Sequence, residues 1–225
     1  MVRRYDPSLV LYLPLEEGSG NIAHDVSGSG NHGTVYGASW VDGRFGKALS
    51  FDGDDYVEVA HDSSLAFTSE DFTLTAWIYP TIVSGDQEII TKGRYEEDGY
   101  YFVLDTNGRL WLQINQNLAH QSTYSYADIS ANNWYFVCAI RNGTLGYIYI
   151  NGVDRTEVQE NITNPTTNTR TLKIGRYDSE MNYFHGIIDE VRIYSRVLTQ
   201  LEINLLYNTG VLRYTSVPMI ARKVA

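Results

Sequence analysis

The sequence has one cysteine, few basic residues and no long hydrophobic run, and each shortage excludes a class of protein. Cys138 is the only cysteine among 225 residues, so the chain encodes no internal disulfide, CxxC redox pair or zinc ribbon. The 17 Lys plus Arg against 27 Asp plus Glu give a net charge of −10, which argues against nucleic acid or anionic lipid as a partner. No apolar run approaches the ~18 to 20 residues that span a bilayer. We therefore expect no nucleic-acid binding and no membrane insertion.

Motifs of several common enzyme sites are also missing. The five histidines show no His-Glu-x-x-His spacing, and no Gly-x-Ser-x-Gly string is present. Gly-x-Gly patterns occur without the strand and helix context of a dinucleotide site. The sequence thus supports neither a zinc protease, nor an α/β-hydrolase, nor a nucleotide site.

Turn signals and tyrosine are abundant. The chain has 18 Tyr and 19 Gly, and Asn-Gly pairs at Asn107-Gly108, Asn142-Gly143 and Asn151-Gly152 lie between β-branched and aromatic runs. Asn-Gly suits type I′ turns because both central residues take positive φ. We predict a hairpin at each pair, within an antiparallel sandwich or barrel.

One segment has the pattern of a helix. Thr199 and Glu202 have capping-box spacing, which predicts about two helical turns. We expect one domain over residues 1–207 and a C-terminal extension over 208–225. The extension is apolar with basic residues, so it either adds a strand to a sheet or to a second copy of the chain, or is a frayed terminus.

Alternation also assigns the single cysteine. Cys138 shares strand parity with Trp134, Phe136 and Ile140, so we expect a buried structural thiol rather than a nucleophile.

Motifs along the chain together resemble one known family. They are Leu11–Gly20, Asp25–Gly33, Gly43–Gly53, Asp55–Val57, Phe72–Pro80, Tyr147–Gly152, Leu172–Arg176 and Phe184–Tyr194. Their order over residues 9–207 resembles the laminin-G-like jelly roll of the concanavalin A-like lectin and glucanase superfamily. The resemblance implies an all-β fold, a two-sheet antiparallel jelly-roll sandwich, with one short C-terminal helix. It also implies binding to glycans or surfaces more often than catalysis.

A calcium site is one reading of the first polar loop. Asp25, Ser27 and Asn31 alternate oxygen donors with glycines, as a calcium loop does, and the resemblance suggests Asp189 as a second carboxylate. Asp52 and Glu16 are reserve ligands. The alternative is a metal-free turn in which Asp25 accepts local amides. We expect any ion to be structural.

Aromatic residues give the candidate ligand site. Alternation in which the aliphatic residues face the core leaves these aromatic side chains outward: Trp77, Tyr79, Trp111, Tyr147 and Tyr149. Sugar rings stack on exposed aromatic rings, so a curved face carrying the five would serve as a sugar platform or a protein interface.

Catalysis is not expected. Retaining glycosidases of this superfamily carry a Glu-x-Asp-x-x-Glu type strand motif, and no such string occurs. The first hypothesis is a non-catalytic carbohydrate- or surface-binding module, and the second is a structural surface or virion protein that assembles into a homo-oligomer through residues 208–225. A glycoside hydrolase or lyase comes third. We expect an extracellular or particle-surface location, although Met1–Pro7 has no signal-peptide pattern.

Overall fold

A computed structural model describes residues 6–179 and 181–210 of the chain. Seventeen strands and one α-helix are formed there, with a short 3-10 turn at Ser63–Leu65. The elements are β1 (Leu9–Leu13), β2 (Ile22–Ala23), β3 (Gly33–Tyr36), β4 (Ser39–Asp42), β5 (Lys47–Asp52), β6 (Tyr56–Val59), β7 (Phe72–Pro80), β8 (Gln87–Arg94), β9 (Asp98–Leu104), β10 (Leu110–Gln116), β11 (Ala119–Ser125), β12 (Tyr135–Asn142), β13 (Leu145–Ile150), β14 (Val153–Asp154), β15 (Thr156–Gln159), β16 (Leu172–Ile174), β17 (His185–Tyr194) and α1 (Gln200–Thr209).

The strands form two antiparallel sheets, which confirms the predicted jelly-roll sandwich. The first sheet has the order β14-β13-β12-β7-β17-β5-β4, with β1 also paired to β17. The second sheet has the order β15-β11-β10-β9-β8-β16-β6-β3-β2. Neighbours in both sheets are often distant in sequence, as β7 and β17 are, because the chain crosses between the sheets.

The main core lies between the sheets and follows the predicted alternation. Leu74, Ala76 and Ile78 of β7 face it, as do Leu112 and Ile114 of β10. Burying this apolar surface supplies most of the favourable free energy of folding.

The three Asn-Gly pairs all lie in hairpins, but only one has the predicted turn type. At Asn151-Gly152 both residues have positive φ, +52° and +81°, as type I′ requires. At Gly143 the φ is +59° and its neighbours' φ values are negative, so the two-residue loop starts at the glycine. The Asn107 turn is longer, because the Asp105 carboxylate accepts the amides of Asn107 and Arg109.

The helix begins at the predicted cap. Thr199 accepts the Glu202 amide, and the Glu202 carboxylate accepts the Thr199 amide at 2.8 Å. The helix is longer than the expected two turns, with ten residues that end before Gly210, whose φ is +65°. It therefore includes Asn208 and Thr209, which the sequence placed in the extension.

The helix packs on the outer face of the first sheet and forms a second apolar cluster there. The cluster comprises Trp77, Phe136, Cys138, Ile140, Tyr194, Leu198, Ile203 and Leu206. Cys138 is fully buried, as predicted, and burial raises the pKa of its thiol.

A buried ion pair fastens the end of the helix to the sheet. The Arg192 guanidinium donates to the Glu190 carboxylate and to the Gly210 carbonyl, the latter at 2.6 Å. It also lies 3.9 Å from the centre of the Tyr12 ring. Arg192 is 2 % exposed and Glu190 5 % exposed, so the pair is shielded from water.

Among the described residues no helix has the length and apolar character needed to cross a bilayer. Residues 211–225, where the sequence predicts a docking strand or a tail, lie outside the described part of the chain.

Candidate functional site on the second sheet

The five aromatic residues predicted to share one face lie on different sheets. Trp77 and Tyr79 belong to β7 and Tyr147 and Tyr149 to β13, both in the first sheet, whereas Trp111 belongs to β10 in the second. Because each of these side chains points away from the shared core, the two groups face opposite sides of the sandwich. The prediction of one curved surface carrying all five is therefore wrong.

Trp77 is not on an open face. Alternation correctly directs it away from the main core, but it is only 2 % exposed because α1 covers it. Its indole stacks on Tyr207 with ring centres 5.8 Å apart, and Phe45 meets it edge-on at 5.8 Å. Tyr147 and Tyr149 pack partly buried against the same cluster, and burial raises the pKa of Tyr149 to about 12. Tyr79 contacts Trp134 at 5.5 Å.

The loop with the predicted calcium ligands is closed by its own hydrogen bonds. Asp25 Oδ1 accepts the amides of Tyr12 and Ser27 at 2.9 and 2.8 Å. Asp25 Oδ2 accepts the Ser27 hydroxyl and the Asn31 amide at 2.8 and 2.9 Å. These four donors occupy the roughly four lone-pair sites of a carboxylate. As folded, Asp25, Ser27 and Asn31 do not fit a calcium ion.

Asp189 lies under a different loop. Its Oδ2 accepts the Phe45 amide at 3.0 Å, while Oδ1 is buried and none of the described residues hydrogen-bonds to it. Burial raises the pKa of Asp189 to about 7. Of the reserve ligands, Glu16 accepts the Lys47 amide at 3.0 Å, and Asp52 belongs to an acidic group with Asp54 and Asp55 whose oxygens lie within 4.8 Å. Asp189 and Glu16 thus both accept amides at the turn between β4 and β5, whereas Asp25 accepts those of Tyr12, Ser27 and Asn31.

The outer face of the second sheet carries an unbroken row of polar side chains. Strand pairing aligns one residue from each of six adjacent strands. We call these residues the polar row: Glu58, Lys173, Thr91, Tyr101, Gln113 and Ser122. Each alternates with core-facing neighbours such as Leu172 and Phe102. These polar side chains lie on the outer face of the sheet, so they do not contribute to the hydrophobic core between the sheets.

The polar row forms a floor rather than an open surface. All its members except Glu58 are at most 4 % exposed. Tyr177 covers Tyr101, with ring centres 5.4 Å apart and hydroxyl oxygens 3.5 Å apart. Buried polar groups are costly unless they are hydrogen-bonded, and Lys173, Thr91, Tyr101 and Gln113 each have a hydrogen-bonding partner.

Aromatic pairs flank the polar row on one side. Trp111 and Tyr124 lie on β10 and β11, two residues along from Gln113 and Ser122, with ring centres 5.3 Å apart. The Trp111 indole N–H donates to Asp105 at 3.1 Å, which fixes the ring, and both rings are partly exposed. At the other end, Tyr36 stacks on Tyr56 at 4.6 Å. Between the pairs lie β16, β8 and β9, so they are about 19 Å apart at ~4.8 Å per strand.

A buried carboxyl lies beside the row. Glu88 on β8 is 2 % exposed, and its carboxylate accepts the Thr91 hydroxyl at 2.7 Å. Burial raises its pKa to about 8, so the group holds a proton at neutral pH. Its hydrogen-bond partners are Thr91 and Asn182, and the Asp86 carboxylate raises its pKa further.

On the other side of the row, Asn115 is fully buried. Its Oδ1 accepts a hydrogen bond from the Gln113 side chain at 3.0 Å and from the Glu96 amide at 3.2 Å, whereas its Nδ2 has no partner within the part of the chain that the structure describes. The alternation that directs Trp111 outward does the same for Gln113 and Asn115, but sequence reasoning missed Glu88 and Tyr101. A charged Glu88 beside Ile89 and Ile90 was the available signal.

A concavity lies at the edge of the first sheet. It has a volume of about 290 Å³ and is lined by Asp128, Tyr135, Ile150, Asn151, Val153 and Arg155. Arg155 is held there by two hydrogen bonds to Asp128, at 2.5 and 2.8 Å. The two charged residues of this concavity, Asp128 and Arg155, are thus paired with each other. The outer face of the second sheet carries more polar side chains than this concavity does.

Solved structures similar to this chain are binding domains. The binding domain of Paraclostridial Mosquitocidal Protein 1 aligns with a TM-score of 0.73 and 21% identity, over 90% of this chain and 52% of that one. The binding domain of Botulinum neurotoxin DC, solved in complex with rat synaptotagmin II, aligns with a TM-score of 0.67 and 19% identity, over 89% and 51%. The chain thus spans about half the length of these two neighbours.

A third neighbour is matched over nearly its whole length. Domain 4 of AbnA, a GH43 extracellular arabinanase from Geobacillus stearothermophilus, was solved in complex with arabinotriose. It aligns with a TM-score of 0.66 and 18% identity, over 88% of this chain and 98% of that one. At these identities the likeness concerns the fold.

Comparison by sequence finds a family model but no individual relative. None of the curated proteins compared with the chain matches it. A laminin-G-type family model, described as the Concanavalin A-like lectin/glucanases superfamily, matches residues 51–204. The matched residues include β6 to β17 and the first half of α1. The match agrees with the two-sheet architecture. The chain therefore belongs to the Concanavalin A-like lectin/glucanases superfamily.

Proposed function

We propose that the protein is a non-catalytic carbohydrate-binding module that holds its ligand on the outer face of the second sheet. The observation that carries the proposal is the polar row flanked by the Trp111–Tyr124 and Tyr36–Tyr56 pairs. Sugar hydroxyls need hydrogen-bonding groups at fixed positions, and the apolar faces of sugar rings need aromatic rings. On this face the rings of both aromatic pairs are at least partly exposed, and between them lies the polar row, of which Glu58 is partly exposed and the other members are at most 4 % exposed.

The fixed geometry supports binding rather than turnover. Asp105 holds the Trp111 ring, and Tyr177 holds Tyr101, so little side-chain entropy is lost when a ligand arrives. The sequence also has no Glu-x-Asp-x-x-Glu string of the kind that retaining glycosidases of this superfamily carry. An extracellular or particle-surface location, where glycans are found, fits this proposal.

Titration calorimetry with oligosaccharides tests the proposal. The panel contains arabinotriose together with xylo-, cello-, galacto- and uronic-acid oligosaccharides. We expect at least one to bind, and Tyr124→Ala to weaken that binding about tenfold, since an aromatic contact contributes ~0.5–1.5 kcal/mol beyond its buried area. Tyr147→Ala, on the first sheet, is the matched control and should bind as the wild type does.

Two results would contradict the proposal. One is the absence of binding to every oligosaccharide at millimolar concentration. The other is loss of binding in Tyr147→Ala with full binding in Tyr124→Ala, which would place the ligand on the first sheet. The melting temperature of each variant is measured alongside, so that unfolding is not mistaken for lost affinity.

A further inference from the structure

Leu118 is unfavourable for folding in two independent ways. It occupies the two-residue turn between β10 and β11 with φ +61°, a conformation that suits glycine or asparagine and strains other residues. Its side chain is also 82 % exposed. Glycine or asparagine at this position would remove both costs, so the fold gives no reason for leucine.

The neighbouring turn is strained in the same way. Glu96, between β8 and β9, has φ +52°, and its carbonyl accepts the Leu118 amide at 2.7 Å. The preceding residue, Tyr95, is 50 % exposed, and its ring lies 4.6 Å from that of His120. The Tyr95 amide donates to the Tyr177 hydroxyl at 2.6 Å. The two turns are thereby hydrogen-bonded to each other through Glu96 and Leu118, the residues with positive φ. One turn exposes the ring of Tyr95 and the other exposes the side chain of Leu118.

These turns border the polar row on the side opposite the Trp111–Tyr124 pair. The Glu96 amide donates to the buried Asn115 side chain, which also accepts the Gln113 amide group. Along β10, Trp111 and Asn115 are four residues apart, about 13 Å at ~3.3 Å per residue, and Gln113 lies midway. A ligand over Gln113 would therefore have aromatic rings on one side and the two turns on the other.

We propose that Tyr95 and Leu118 form an apolar clamp that contacts the C–H face of a glycan bound over the polar row. The proposal rests on the proposed function and names the residues that close the site. The hydrogen bond from the Leu118 amide to the Glu96 carbonyl holds the two turns together before the ligand arrives, which lowers the entropic cost of binding. The Glu96 amide, in the turn that carries Tyr95, donates to the Asn115 side chain, which ties this turn to β10 of the polar row.

The decisive variant is Leu118→Gly. It relieves the backbone strain, which should not lower stability, but it removes the clamp side chain, which should weaken binding. Glycine adopts positive φ freely, so the melting temperature should stay equal or rise. Loss of the side chain should weaken oligosaccharide binding at least about fivefold, as should Leu118→Asn and Tyr95→Ala. Leu201→Ala, a leucine 69 % exposed on α1, is the matched control and should leave binding unchanged.

The outcomes separate the clamp from the proposed function. If Leu118→Gly and Tyr95→Ala bind the oligosaccharides as tightly as the wild type while Tyr124→Ala does not, the clamp is wrong and the proposed function stands. Weaker binding accompanied by a lower melting temperature in Leu118→Gly would also overturn the clamp, since leucine would then be structural. If the wild type binds none of the oligosaccharides, both proposals are wrong.

Discussion

The indole of Trp77 and the phenol ring of Tyr207 stack with their centres 5.8 Å apart and their planes 23° from parallel. Trp77 is in the middle of the first sheet and Tyr207 is near the end of α1, so this contact links the helix to the strands. It also removes Trp77 from any ligand. The second apolar cluster is built around this pair, and its energetic weight can be measured.

We expect Tyr207→Ala to lower the free energy of unfolding by about 1–3 kcal/mol, since it deletes a large ring packed on a buried one. Chemical denaturation measures the loss, and near-UV circular dichroism reports the change around Trp77. Leu201→Ala on the same helix is the control and should cost little, because Leu201 is largely exposed. Equal stability of the two variants would mean that the stacking contributes nothing.

The loop at Asp25 should be independent of calcium. Its carboxylate already accepts four hydrogen bonds, so the melting temperature of the wild type should be the same with excess calcium and with chelator. Asp25→Ala should cost about 3 kcal/mol or more, because donors such as the Ser27 and Asn31 amides lose their acceptor in a buried loop. The exposed Asp54→Ala is the control. A melting temperature that calcium raises in the wild type but not in Asp25→Ala would contradict this prediction.

Stability should fall as the pH rises through the range in which Glu88 titrates. The pKa of Glu88 is raised to about 8 in the folded chain, against about 4.3 in the unfolded chain, so the folded state holds the proton more tightly. Its contribution to stability is complete below about pH 4 and is lost progressively up to about pH 8. Glu88→Gln should therefore show a flatter dependence of melting temperature on pH, whereas Asp54→Asn should follow the wild type. A parallel slope in Glu88→Gln would exclude this carboxyl as the cause.

The Glu190–Arg192 pair should behave as a unit. Glu190→Gln alone leaves the guanidinium buried without its counter-charge and should cost about 3–5 kcal/mol. The double variant Glu190→Gln/Arg192→Met removes the charge as well and should recover most of that loss. Urea unfolding of the four members of the cycle gives the coupling energy. Additive losses would show that the two residues contribute separately.

The strand alternation could be predicted from the sequence because it depends on nearest neighbours. Period-two patterns correctly assigned Leu74, Ala76 and Ile78 to the core and Trp77 to the opposite face. The capping box at Thr199 located the start of the helix for the same reason. Local patterns of this kind fix which way a side chain points.

What covers a side chain depends on contacts that are distant in sequence. Nothing near Trp77 indicates that Tyr207 will pack on it, and nothing near Trp111 or Tyr147 indicates which sheet each strand joins. The strand order that assembles the polar row from β6, β16, β8, β9, β10 and β11 is likewise set by crossovers rather than by local pattern. Leu118 gave no signal either, because positive φ at leucine cannot be read from residue type.

The burial of Cys138 beneath α1 gives the protein its own reporter of partial opening. Since the chain has no other cysteine, any reaction with a thiol reagent under native conditions must come from this one sulfur. A labelling rate that exceeds the rate of global unfolding would time the undocking of the helix from the first sheet. No foreign probe needs to be introduced for that measurement, so the motion can be followed in the unaltered chain.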